Sequence, residues 1–188
     1  MTIPFFRDGF ALPVAQALLV QLNQEVAKTE LNLERLTQLT FNFRNPGYSA
    51  EQGGVHPVEI RLIRGLDGWL FDYVTDFSYQ GLGQDAELCK ELDFNLLDGE
   101  HFMQGWGPLQ LAEARELFAL WQRNFIAYCG LECFSVTVNA PPSSALDQGS
   151  TSSRSTPAST FLPCTASRCS GLKLTGLRPA LISSIGSC

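Results

Sequence analysis

The stretch from Val58 to Tyr79 constrains this chain more than any other. Val58, Ile60 and Leu62 alternate with Glu59, Arg61 and Ile63, Gly65-Leu66-Asp67-Gly68 marks a turn, and a long aromatic run follows. A period of two puts successive side chains on opposite faces of a strand. On that reading Trp69, Phe71, Tyr73, Thr75, Phe77 and Tyr79 share one face, and Leu70, Asp72, Val74, Asp76 and Ser78 share the other. Register follows by arithmetic. With Arg64 opposite Trp69, Leu62 faces Phe71, Ile60 faces Tyr73 and Arg61 faces Asp72. A slip of one residue would destroy both the apolar and the charged matches. An exposed Arg61–Asp72 pair is worth only ~0–1 kcal/mol, so it sets register more than stability.

The flanking segments extend the pattern. Residues 11–28 read as a first helix, with Pro13 in its first turn and Val14, Leu18, Leu22 and Val26 on one stripe. Leu39, Phe41 and Phe43 alternate with polar neighbours in a strand that ends at Asn45-Pro46-Gly47. Asp85 is placed to cap a short helical turn through Cys89, and Leu92, Phe94 and Leu96 mark a fourth strand. Gly105-Trp106-Gly107 reads as a flexible loop. Residues 108–129 read as a second helix carrying Ala114, Phe118, Trp121, Phe125 and Tyr128, closed by Gly130. Phe134, Val136 and Val138 alternate in a last strand.

The order is therefore α-β-β-β-β-α-β. Strands with one apolar and one polar face suit an antiparallel sheet wetted on one side. The expected fold is α+β, a two-layer sandwich with a mainly antiparallel sheet of about five strands and both helices on its apolar face.

Composition divides the chain near Asn139. Residues 1–140 hold 18 acidic and 9 basic side chains, a net −9, whereas residues 141–188 carry a net +3. The second stretch contains 12 serines and one aromatic, Phe161, and keeps no period. Such a segment cannot bury enough apolar surface to offset its ordering entropy. The expected organisation is one α+β domain over 1–140 and a disordered Ser/Pro-rich tail over 141–188. The abrupt break also fits a shifted reading frame or a non-native extension.

An acidic domain repels phosphate backbones, so nucleic acid is not an expected partner. No segment approaches the ~20 apolar residues of a membrane helix, and the Met-Thr-Ile-Pro-Phe-Phe start lacks the basic and apolar regions of a signal peptide. A cytoplasmic protein with reduced thiols is the expectation.

The block FNFRNPGYSAEQGGVHPVEIRL (41–62), with YVTDFSYQG (73–81) and ELFALWQRNF (116–125), resembles the bacterial family called domain of unknown function 2787. The resemblance spans roughly residues 5–139. It implies a small cytoplasmic α+β protein of bacteria and carries no activity, substrate or catalytic residue.

One region could form a site. The polar sheet face collects Asn42, Arg44, Glu59, Arg61, Asp72 and Asp76, and the following loop adds Tyr48, Glu51, Gln52 and His56. Arginines beside carboxylates on a rigid sheet can grip a polar ligand or a partner's charged groups. The competing reading is a solvated face with cross-strand ion pairs. No catalytic set emerges: there is no Gly-x-Ser-x-Gly elbow, and no phosphate-binding glycine motif implies a cofactor. No metal site is expected either, because His56 and His101 are far apart in sequence and Cys129-x3-Cys133 lacks a second pair. The favoured role is a non-enzymatic binding or adaptor module that takes a protein or a small polar ligand. The alternative is a small-molecule-binding or hydrolytic enzyme on the same face, which requires a concave pocket at the 45–57 loop. The residues name neither partner nor oligomeric state.

Overall fold

Among the described residues one antiparallel sheet orders its strands β6 (Gly107–Pro108), β5 (His101–Met103), β4 (Glu87–Asn95), β3 (Trp69–Gln80), β2 (Val58–Arg64), β1 (Gln38–Arg44) and β7 (Ser135–Asn139), with two helices packed on one side. The structure is a computed structural model that describes residues 2–6 and 11–140. The elements are α1 (Gln16–Ala27), β1 (Gln38–Arg44), β2 (Val58–Arg64), β3 (Trp69–Gln80), β4 (Glu87–Asn95), β5 (His101–Met103), β6 (Gly107–Pro108), α2 (Leu111–Gly130) and β7 (Ser135–Asn139). The described residues form an α+β body, as the alternation requires. The reading of 141–188 as a tail lies outside the described residues.

Among the described residues the sheet has seven strands, against the expected five or so. β5 and β6 were not expected, Gly107 being read as loop and Pro108 as helix start, because three-residue and two-residue strands are too short to express a period. Residues 85–89 are not a helical turn. A 3₁₀ turn covers Gly83–Asp85, and β4 begins at Glu87. Pro13 lies before the first helix, which starts at Gln16 after an extended Ala15. The second helix runs through Gly130 to a cap at Leu131.

The core lies between sheet and helices. Leu39, Phe41 and Phe43 of β1 pair with Leu62, Ile60 and Val58 of β2, and all six are buried. β7 closes the far side of β1, setting Val136 opposite Phe43 and Val138 opposite Phe41. Phe43 meets Phe125 edge-on at 4.8 Å, and Phe94 lies 5.0 Å from Phe118. Such aromatic pairs add roughly 0.5–1.5 kcal/mol beyond burial. α1 contributes Leu18, Leu19, Leu22 and Val26 to the same core.

The predicted hairpin is half right. Arg64 pairs with Trp69, Ile63 with Leu70 and Leu62 with Phe71. The register then shifts: Arg61 pairs with Tyr73 and Ile60 with Val74. Asp72 is the extra residue of a β-bulge, which flips every side chain after it to the opposite face. Trp69 and Phe71 enter the core, as does Val74, while Tyr73, Thr75 and Phe77 move to the outer face. The single aromatic face does not exist. Asp76 pairs opposite the core residue Val58 and moves to the helix side. A second shift separates Asp76↔Leu92 from Phe77↔Lys90, leaving Glu91 as an extra residue in β4.

Candidate functional site

The two bulges divide the nominated residues between two places. Asn42, Arg44, Glu59, Arg61 and Asp72 stay together on the outer sheet face. Tyr48, His56 and Asp76 gather instead where the 45–57 loop meets the end of β3 and β4. Glu51 sits exposed in that loop and joins neither group.

The outer face is a connected polar layer. Arg44 donates from Nη2 to Asn42 Oδ1 at 3.1 Å, and its guanidinium lies 5.7 Å from the Phe77 ring centroid. Burial lowers the Arg44 pKa, and Glu59 opposes that shift. Arg61 contacts Asp72 at 3.2 Å and donates to Gln38 Oε1 at 2.8 Å. Tyr73, which sequence reasoning assigned to the core, donates its hydroxyl to Glu59 at 2.7 Å. Burial raises the Tyr73 pKa, and Glu59 raises it further. Thr75 donates to Asp93, which accepts from Lys90 at 2.7 Å. Burial also raises the Asp72 pKa, against the pull of Arg61. The layer is internally paired, with its donors already turned to acceptors on its own strands.

The second group is denser. His56 Nδ1 lies 3.0 Å from Asp76 Oδ1 and 2.9 Å from Glu91 Oε2. Asp76 Oδ2 accepts from Trp121 Nε1 at 3.0 Å, which ties the cluster to α2. Tyr48 stacks against Tyr79 at 5.3 Å and accepts that residue's backbone N–H at 3.0 Å, while its ring also lies 5.3 Å from His56. Burial alone would lower the His56 pKa. Hydrogen bonds to Asp76 and Glu91 outweigh it and lift the group to about 10. Burial raises the Asp76 pKa against His56 and Trp121, whereas the hydrogen bond from His56 lowers that of Glu91.

Sequence reasoning missed Glu91 and Trp121 here, and Tyr73, Thr75 and Asp93 on the outer face. The adjacent charges of Lys90 and Glu91 were a signal, because strict alternation would send one of them into the core. The trio His56, Asp76 and Glu91 is, among the described residues, the set able to converge on a metal ion. Its ligand atoms lie within 4.8 Å of one another. Spacing rules overlooked it because its members come from a loop and two strands.

The remaining candidates are quieter. His101 lies buried in β5, and burial lowers its pKa. Burial pushes the Cys129 thiol up to about 12, which suits an inert side chain. Two cavities of about 510 and 540 Å³ open at the β4–β6 corner and beside the C-terminal end of α2; neither is lined by the 45–57 loop. Among the described residues, no helix is long and apolar enough to cross a membrane.

The chain matches the family described as "Protein of unknown function (DUF2787)" over residues 16–139. It is similar to the solved structure of hypothetical protein VC0508 from the VSP-II pathogenicity island of Vibrio cholerae, at 33% identity and a TM-score of 0.67. That match covers 74% of this chain and 99% of the other. It is also similar to the conserved hypothetical protein VC1805 from pathogenicity island VPI-2 of Vibrio cholerae, described as sharing structural homology with the human P32 protein. Here identity is 34%, the TM-score 0.60, and coverage 70% of this chain and 98% of the other. No curated protein matches the chain.

Proposed function

Because the chain belongs to this family of proteins of unknown function, its role must be argued from its own surfaces, and we propose that it is a non-enzymatic binding module. The recognising surface is the outer sheet face with the adjoining 45–57 loop, and the partner is a protein of complementary charge. One observation carries this reading: both helices cover the same side of the sheet, and the opposite side bears Arg44, Arg61 and Lys90 laid against Phe77 and Tyr73. Arginine and aromatic side chains held rigid at a surface lose little entropy on binding. The net −9 of residues 1–140 disfavours nucleic acid. A reducing, cytoplasmic setting belongs with the same proposal, and the Cys129 thiol, its pKa pushed up by burial, suits it.

A catalytic reading has less support. It needs convergent, unpaired groups in a hollow at the loop, and the outer-face groups instead pair with each other. The test is affinity capture from the host with Lys90→Glu and Thr137→Arg, both on exposed positions of the outer face, against Arg123→Glu on an exposed turn of α2. The two face variants should lose a partner that the wild type and Arg123→Glu retain. A partner kept by both face variants would contradict the proposal.

A further inference from the structure

Two carboxylate oxygens, one from Asp76 and one from Glu91, converge on a single nitrogen of His56. A protonated imidazole has one hydrogen on Nδ1, and that nitrogen faces two carboxylate oxygens, at 3.0 and 2.9 Å. The hydrogen bond goes to Asp76 Oδ1. Glu91 Oε2, also buried, must share that single N–H with Asp76. A divalent cation beside a neutral imidazole would balance both carboxylates.

We propose that His56 Nδ1, Asp76 and Glu91 form a divalent transition-metal site, with one nitrogen and two carboxylate ligands and further positions open to water. Ligands at about 2.1 Å and right angles stand about 3.0 Å apart, and the two measured separations match that edge. One imidazole with two carboxylates suits ions of the manganese-to-zinc series better than calcium or magnesium, which favour oxygen alone.

The surroundings are those of a built site. Trp121 Nε1–H holds the second oxygen of Asp76, and Ser78 hydrogen-bonds Glu91. Outer partners of this kind orient ligands and raise affinity. The bulge in β4 sets Glu91 towards His56, a frequent use of bulges beside sites. Tyr48 and Tyr79 wall one side. The proposal does not depend on the outer face being a recognition surface.

The test titrates the chelator-stripped, full-length chain with Mn²⁺ alone, following the free ion by its paramagnetic resonance signal. Manganese has little affinity for thiolate, so the cysteines do not compete. The wild type should take up about one ion saturably. Glu91→Gln and His56→Gln should each weaken binding by at least about tenfold, and Trp121→Phe by less. Arg123→Ala, on an exposed turn of α2, should leave it unchanged. Should a variant fail to fold, the wild type still decides the matter, because bound Mn²⁺ must broaden the NMR signals of His56, Tyr48 and Tyr79 first. No saturable uptake at about millimolar Mn²⁺, equal uptake by every folded variant, or broadening centred elsewhere would overturn the proposal.

Discussion

His56 has the furthest-reaching physics of any single residue here. Its pKa rises from 6.5 to about 10 on folding, because Asp76 and Glu91 outweigh its burial. A raised pKa means the folded chain holds the proton more tightly than the unfolded chain. That stabilisation is complete below about pH 6.5 and disappears as pH climbs through about 10. Urea unfolding in the presence of a chelator should show the wild type more stable than His56→Gln near pH 6, with the gap closing towards pH 10. A gap independent of pH would mean the ion cluster contributes only packing. Core residues obey a simpler rule. Phe43 is fully buried against Phe125 and Phe134. Phe43→Ala should cost about 3–5 kcal/mol in denaturant unfolding.

At the scale of elements, alternation was legible wherever strands are regular. Leu39, Phe41 and Phe43 were assigned correctly because nothing interrupts their period. The long β3 was not, because Asp72 inserts one residue and reverses the faces beyond it. The sequence did carry a sign: Leu70 and Val74 sat as apolar residues on the face taken to be polar. β5 and β6 were hidden by brevity. The candidate site split for the same reason, with Asp76 carried to the helix side and Tyr73 to the outer face. This account makes an asymmetric prediction for deletions. Deleting Asp72 removes the bulge and leaves Phe71 and Tyr73 on their own faces, so the chain should still unfold in one cooperative transition. Deleting Thr75 throws Asp76 to Gln80 onto the wrong face, and near-UV circular dichroism should be lost. Gly68 offers a further check. Its φ is +150°, and an added Cβ would lie 2.6 Å from the Pro4 carbonyl oxygen, beside the Phe5–Trp69 bridge. Gly68→Ala should destabilise by about 1–3 kcal/mol.

At the scale of the whole molecule, the composition break at Asn139 coincides with the last strand, which ends there, and with the end of the family match. We take residues 1–140 as a domain able to fold alone, so its melting temperature should equal that of the full chain. A marked drop would show that residues after 140 contribute to the fold. The sheet gives this domain two unlike sides. One is filled by helices, and the other presents charged groups laid over aromatic rings. The most direct test of that second side as the recognition surface is photo-crosslinking in the native host, with benzoylphenylalanine placed at the position of Thr137 or of Arg123. The account predicts a discrete adduct from position 137 and none from position 123. No adduct from position 137, or the same adduct from both, would contradict it.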